Sequence, residues 1–166
     1  MNKILYLFFF IFGLAIARLV PHPPNFTPIL AFAIISPLLT KDRNLGMLLP
    51  VSAMFISDIF IGFHTYQFVV YATILSISFF TPMKKNYLNL SFIAILSSVW
   101  FFVSTNFAVW LMWDYYPKNL EGIIACYTMA IPFFKNTLIS TLFFTGLLTF
   151  YLEFLQKLNE KTNYFI

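Results

Sequence analysis

Long apolar runs separated by short polar breaks dominate the chain, and they predict membrane-spanning helices. A helix rises about 1.5 Å per residue, so roughly 20 apolar residues cross a hydrocarbon core about 30 Å thick. Six runs approach or reach this length. We predict spans at about residues 4–20, 26–39, 45–63, 68–81, 88–113 and 136–155, within a single integral membrane domain over residues 1–166.

Two of the runs are less certain spans than the others, for different reasons. Residues 4–20 follow a basic start and contain the small triplet Ala15-Ile16-Ala17, as a cleavable signal peptide does. The apolar run continues through Leu19 and Val20, which favours a membrane span over a signal peptide that is cleaved after residue 17. Residues 26–39 contain two prolines and are borderline in length for a span.

A moderately apolar segment, residues 120–131, precedes the last run and is separated from it by Pro132 and Lys135. Because proline interrupts helices and asparagine is a favoured N-cap, we expect a short helix at 120–131 and a new helix capped by Asn136. The predicted fold is therefore an all-α membrane protein. Six spans form one bundle, with a short extra helix between spans five and six.

The basic residues predict the orientation of the bundle. Only 10% of the residues are charged and 60% are apolar, whereas soluble domains carry about 25% charged residues. With the N-terminus inside, both termini are cytoplasmic and the inner side carries the basic excess that the positive-inside rule requires. The inner residues are Lys3, Lys41, Arg43, Lys84, Lys85, Lys157 and Lys161, and the outer ones are Arg18, Lys118 and Lys135.

The composition also excludes several classes of function. Six spans leave no room for a soluble catalytic or nucleotide-binding domain, and the sequence has no GxxxxGK[ST], HExxH or GxSxG motif. The net charge of +4 is scattered, so no nucleic-acid partner is expected. The single cysteine, Cys126, is predicted to pack as a small apolar residue. We expect neither an enzyme nor a bound cofactor or metal.

On this topology the unusual polar residues gather at the outer side. Asp58 lies about 7 Å below the outer end of its span, where a charged group costs roughly 3 kcal/mol. Arg18 or Lys135 could neutralise Asp58, and protonation is the other way to lower this cost. A purely structural ion pair between helices is the alternative to a binding role.

Three residues of the fifth span share a face near the outer boundary. Asn106, Trp110 and Trp113 recur at i, i+4 and i+7, and together they suit a flat, partly polar ligand. The alternative is an interfacial aromatic belt with an interhelical asparagine bond. His22 and His64 are also predicted on the outer side of the membrane. They lie in loops without helical spacing between them and without a carboxylate fixed nearby by the sequence, so a haem or metal site is not supported.

Several motifs across the chain resemble a family of small uncharacterised bacterial integral membrane proteins. They are His22-Pro23-Pro24-Asn25-Phe26-Thr27-Pro28, Ser57-Asp58 with Gly62-Phe63-His64, Thr105-Asn106-Phe107-Ala108-Val109-Trp110, and Cys126-Tyr127 with Pro132-Phe133-Phe134-Lys135-Asn136-Thr137. In size, topology and polar placement the chain is also similar to the substrate-binding S components of energy-coupling factor (ECF) vitamin transporters, although the double-alanine motif expected in span one is missing.

That resemblance implies a protein of the bacterial cytoplasmic membrane that captures a vitamin-like small molecule from outside. The loops Arg18 to Pro28 and Asp114 to Lys135 would close over the substrate. A membrane coupling subunit and ATPases would supply energy, docked through Gly13 and Ala17 in the lipid bilayer. The candidate substrate-binding residues are Asn25, Asp58, His64, Asn106, Trp110, Tyr127, Lys135 and Asn136.

Two functions of different class follow from the sequence. The first is a membrane-embedded binding protein for uptake of a small organic molecule. The second is a multi-span scaffold of the rod-shape-determining type, which needs no ligand. The polar residues concentrate on one side of the membrane, which favours the binding protein. With no length spared for an energy-converting domain, transport would draw on another chain or on an ion gradient.

Overall fold

The computed structural model describes residues 3–83 and 87–163, and this part of the chain forms six helices and no strand. Two of the predicted inner lysines, Lys84 and Lys85, lie outside the described residues. The helices are α1 (Lys3–Leu19), α2 (Ile29–Thr40), α3 (Arg43–Ile61), α4 (Gln67–Phe80), α5 (Tyr87–Met112) and α6 (Leu120–Asn163).

The shortest helix, α2, occupies the centre of the bundle. It contacts α3, α4, α5 and α6, while α1 packs on α3. A helix that is apolar on all sides is stable only when it is covered on all sides. Ile34 and Ile35 of α2 are accordingly fully buried, and Leu14 and Ala15 of α1 belong to the same core.

The contact between α2 and α3 depends on a glycine. The Ser36 hydroxyl donates a hydrogen bond of 2.6 Å to the Gly46 carbonyl oxygen across this contact. A Cβ atom at Gly46 would lie 2.4 Å from the Pro37 Cα atom. Only glycine therefore allows the two backbones to approach this closely near the C-terminal end of α2.

The prediction of a separate short helix at residues 120–131 was wrong, because α6 is continuous from Leu120 to Asn163. Pro132 lies inside α6 and removes one backbone hydrogen bond. Packing compensates for this loss, since Ala130 before the proline and Thr137 after it are both buried. Asn136 is thus an interior residue and caps nothing.

The true N-cap of α6 is Asn119. Its side-chain oxygen accepts a 2.9 Å hydrogen bond from the Gly122 backbone N–H. Glu121 follows in the first turn, where a carboxylate favours the positive end of the helix dipole. This pairing of a cap and an acidic first turn is a sequence signal that marks the start of α6 one residue before Leu120.

The exterior is strongly apolar. The segments Arg43–Ile61, Asn89–Met112 and Leu120–Phe154 are long and apolar enough to cross a membrane, whereas the apolar segments of α1, α2 and α4 are shorter. Phe68 is 83% exposed and Phe80 is 78% exposed. Soluble monomers rarely expose such continuous apolar surface, so the chain is a membrane-type protein.

Gly46→Ala is expected to lower the free energy of unfolding by about 1–3 kcal/mol, because the new methyl group overlaps the Pro37 backbone. Unfolding of the purified protein in mixed detergent and SDS micelles measures the change. Gly13→Ala in α1 is the matched control, since a Cβ atom there meets no atom of the described residues within 4 Å. Equal stability of the two variants would contradict the close-approach explanation.

Candidate functional site

A cavity of about 650 Å³ opens at one end of the bundle, and all six helices contribute to its wall. The lining residues come mostly from the C-terminal halves of α1, α3 and α5 and from the N-terminal halves of α2, α4 and α6. Consecutive helices therefore run in opposite directions. The loops before α2 and α4 also reach the cavity, so it lies where these connections meet.

A buried ion pair forms one wall of this cavity. Arg18 Nη1 lies 2.7 Å from Asp58 Oδ1, and Arg18 is the partner that the sequence suggested. The same nitrogen donates to the Met54 carbonyl oxygen at 3.2 Å and to the Ser57 hydroxyl. The Asp58 side chain is 1% exposed and that of Arg18 is 16% exposed, so each charge depends on the other.

The second carboxylate oxygen of Asp58 extends the pair into a network. Asp58 Oδ2 accepts a 2.7 Å hydrogen bond from Tyr71 Oη, which accepts one of 2.6 Å from Gln67 Nε2. Gln67 Oε1 in turn accepts the His64 backbone N–H at 3.3 Å. This network joins α1, α3 and α4 at the cavity end.

Gln67 and Tyr71 were not among the residues predicted for the site. A signal for them exists, because the two residues lie at i and i+4 just after a polar break and therefore share one face of α4. Two polar side chains on the same face of an otherwise apolar helix are candidates to form hydrogen bonds with a buried charge on a neighbouring helix.

Aromatic rings surround the cavity mouth. The His64 and Tyr66 rings lie 4.3 Å apart, and the Tyr66 and Trp113 rings lie 5.1 Å apart, both edge to face. Burial lowers the pKa of His64, an effect that nearby Asp58 opposes and Arg18 reinforces. Burial also raises the pKa of Tyr66. Both side chains are therefore uncharged at neutral pH.

The loop between α1 and α2 is held against α6. Asn136 Nδ2 donates a 2.9 Å hydrogen bond to the Pro24 carbonyl oxygen, and the Ser140 hydroxyl lies 3.4 Å from the Asn25 carbonyl oxygen. Asn25 has a left-handed backbone with φ of 62°, a conformation that asparagine tolerates better than most residues. The proline-rich loop is thereby fixed beside the cavity.

The turn between α5 and α6 is stabilised by hydrogen bonds to the C-terminal end of α5. Lys118 Nζ donates to the carbonyl oxygens of Trp110 and Trp113 at the C-terminal end of α5. Trp110 Nε1 donates to the Pro117 carbonyl oxygen at 2.9 Å, so this indole stabilises the turn. A Cβ atom at Gly122 would lie 1.9 Å from the Pro117 oxygen, which makes glycine necessary here as well.

The structure brings some of the predicted site residues together and leaves others apart. Asn25, His64 and Asn106 line the cavity, and Asp58 reaches it through Arg18. Four predicted residues are outside its described lining. Trp110 closes the turn, Tyr127 Oη donates to the Val103 carbonyl oxygen, Asn136 holds Pro24, and Lys135 is exposed.

Much of the cavity wall was not foreseen. Trp113, which the sequence placed on a face suited to a flat ligand, does line it. Cys126 and several further aromatic residues line it as well, although in sequence they look the same as residues that face lipid. The proposed docking residues Gly13 and Ala17 are exposed and half-buried, respectively, on α1. The unforeseen aromatic residues are Tyr66, Phe101, Phe102, Tyr116, Phe133 and Phe134.

The chain belongs to the family of unknown function DUF6580, whose family model matches residues 1–162. No functionally curated protein and no solved structure matches the chain. Family membership therefore agrees with the resemblance to an uncharacterised family and assigns no activity.

Arg18→Met is expected to lower the free energy of unfolding by about 3–5 kcal/mol, because it leaves the buried Asp58 carboxylate without a counter-charge. The double variant Arg18→Met with Asp58→Leu should recover part of the loss. SDS-driven unfolding measures both. Asp114→Ala, which removes the exposed pair with Lys118 at 3.9 Å, should leave stability unchanged. Strictly additive losses in the double variant would contradict a coupled pair.

Acidification should destabilise the wild type partly through His64. Its folded pKa lies below the ordinary 6.5, so the unfolded state binds the proton first. Stability is therefore unaffected by this group above about pH 6.5 and falls as the pH drops from there toward the lowered folded value. Unfolding midpoints from about pH 7.5 to 5 should show a smaller fall in His64→Gln. Parallel profiles for the two proteins would refute this.

Proposed function

We propose that this DUF6580 protein is a membrane-embedded binding protein that captures a small organic molecule for uptake, in the manner of an ECF S component. The cavity of about 650 Å³, walled by all six helices at one end of the bundle, is the observation that carries this proposal. Small-molecule sites are concave, mostly apolar and about 300–1,000 Å³ in volume. The cavity fits that description.

The charges around the cavity favour an uncharged ligand. Arg18 is neutralised by Asp58, and His64 is uncharged at neutral pH. All hydrogen bonds of the Arg18 guanidinium among the described residues use Nη1, which leaves Nη2 and Nε for an acceptor on the ligand. A full negative charge on the ligand would compete with Asp58 for the same guanidinium.

The remaining lining favours a flat ring system. Aromatic side chains from α5 and α6, with Tyr66 and Trp113 at the mouth, suit stacking against a planar ligand. Asn106 Nδ2 donates to the Phe102 carbonyl oxygen at 2.8 Å, so its Oδ1 is available to accept from the ligand. We therefore propose a planar heterocycle of vitamin or vitamin-precursor size, with both acceptor and donor groups.

In this proposal the bundle crosses the bacterial cytoplasmic membrane six times, with both termini inside and the cavity open to the outside. At 12 and 14 residues, α2 and α4 are only about 18 and 21 Å long, shorter than the hydrocarbon core. Irregular backbone at membrane depth is tolerated where it is covered by protein or lines a cavity. The loops before α2 and α4 line the cavity, which supports six crossings.

Uptake also requires an energy source outside this chain. We propose a membrane coupling subunit with ATPases, docked on α1 through Gly13 and Ala17. Gly13 is exposed and has free space beside it, which allows another helix to approach closely.

The scaffold function makes the opposite prediction for the cavity. Both carboxylate oxygens of Asp58 have hydrogen-bond partners within the protein, which is what a purely structural role requires. A scaffold would carry this network and bind no ligand. Whether a small molecule occupies the cavity therefore distinguishes the binding function from the scaffold function.

The test is to purify the protein in mild detergent, extract what co-purifies and identify it by mass spectrometry. A retained heterocyclic compound should also raise the thermal unfolding midpoint when it is added back. A protein that retains nothing and gives a flat thermal-shift screen of vitamins and precursors would refute the binding function and favour the scaffold.

Two variants assign the binding to this cavity. Ala130→Trp fills it from α6 and is expected to weaken binding by about tenfold or more, the equivalent of about 1.4 kcal/mol. Ile131→Trp, one residue away and 56% exposed, is the matched control and should bind normally. Asn106→Leu should weaken binding while leaving the helix intact. Equal binding by Ala130→Trp and Ile131→Trp would place the ligand elsewhere.

A further inference from the structure

A second, smaller cavity lies at the opposite end of the bundle, between α5 and α6. Its volume is about 260 Å³. Because it is lined by the N-terminal end of α5 and the C-terminal half of α6, it is separate from the large cavity. The lining residues are Leu90, Ser91, Thr145, Gly146, Thr149, Phe150 and Glu153.

One ridge of α6 connects the two cavities. Thr137, Thr141, Thr145, Thr149 and Glu153 recur every four residues, and such i±4n rows form a continuous ridge on a helix surface. The first two threonines line the large cavity and the last three residues line the small one. Thr137 and Glu153 are 16 positions apart, so the ridge is about 24 Å long.

The threonines of this ridge differ in their hydrogen bonds. The Thr137 hydroxyl donates to the Phe133 carbonyl oxygen at 3.0 Å, and that of Thr141 donates to the Thr137 carbonyl oxygen at 2.7 Å. The hydroxyls of Thr145 and Thr149 have no hydrogen-bond partner among the described residues, although these two residues are only 3% and 8% exposed.

A hydroxyl without a partner is unusual for a buried threonine in a helix. A threonine in a helix can satisfy its hydroxyl on the carbonyl four residues back, and leaving a buried polar group unpaired is destabilising. Thr145 and Thr149 do not take this bond, and both line the small cavity. Two hydroxyls beside that cavity therefore have unused hydrogen-bonding capacity.

The chemistry of the lining points to one kind of occupant. The small cavity carries hydroxyls and a single carboxylate, that of Glu153, which forms no salt bridge with any described side chain. Oxygen ligands are those that hard cations prefer. One carboxylate neutralises one positive charge. A transition metal or a divalent ion would favour a cluster of three or more His, Cys, Asp or Glu side chains. No such cluster is found among the described residues.

We propose that the small cavity is a sodium site, in which Thr145, Thr149 and Glu153 hold a partly hydrated Na⁺. A volume of about 260 Å³ has room for the ion and several waters, each of which takes about 30 Å³ in the liquid. Hydroxyl and carboxylate oxygens replace part of the hydration shell. The site stands on its own residues and does not depend on what the large cavity binds.

The test is to measure unfolding of the detergent-purified full chain in NaCl, KCl and N-methyl-D-glucamine chloride at equal ionic strength. We expect Na⁺ to raise the midpoint above that in the other two salts. Binding of radioactive ²²Na⁺, displaced by unlabelled Na⁺, gives the affinity directly. Equal midpoints in all three salts, with no displaceable ²²Na⁺, would overturn the proposal.

Matched variants locate the ion. Glu153→Gln and the double variant Thr145→Val with Thr149→Val should weaken Na⁺ binding by about tenfold or more. Ser78→Ala also removes a buried, unpartnered hydroxyl, but one outside the small cavity, and should retain the Na⁺ effect. Glu121→Gln at the start of α6 is the carboxylate control. A Na⁺ effect that survives in Glu153→Gln would also overturn the proposal.

Discussion

The ion pair between Arg18 and Asp58 is the interaction on which the cavity end of the bundle depends. An isolated charge in an apolar interior is prohibitively costly, so a carboxylate that stays ionised there needs a cation at hydrogen-bond distance. The distance of 2.7 Å fixes the end of α1 against α3. It also makes Arg18 part of the cavity wall. One electrostatic requirement thus sets both a helix contact and the character of the cavity.

A second constraint is the central position of the short helix α2. Because its residues from Ile29 to Pro37 are buried, the other helices must surround it. A central helix of only 12 residues cannot fill the full height of the bundle. The space beyond its N-terminal end is covered by the preceding loop and by α6, and the large cavity lies there. The cavity is therefore a consequence of unequal helix lengths.

The two ends of the bundle differ in chemistry. The large cavity combines a neutralised charge pair with aromatic rings, which suits a planar organic molecule. The small cavity has hydroxyls and one carboxylate, which suits a hard cation. The threonine ridge of α6 runs between them. If both sites are occupied, α6 is the element through which one site would affect the other.

The sequence by itself determined the helical class and the approximate helix positions, and it indicated that Asp58 needs Arg18, Lys135 or a proton, because hydropathy and the cost of a buried charge are local properties. The structure chose Arg18 among these. It failed where distant contacts decide. Pro132 and Asn136 read as a helix boundary, but packing on both sides keeps α6 continuous. Most of the aromatic cavity wall, apart from Trp113, was equally hidden. In an apolar chain the same phenylalanine suits lipid or cavity, and only the tertiary structure decides which side it faces.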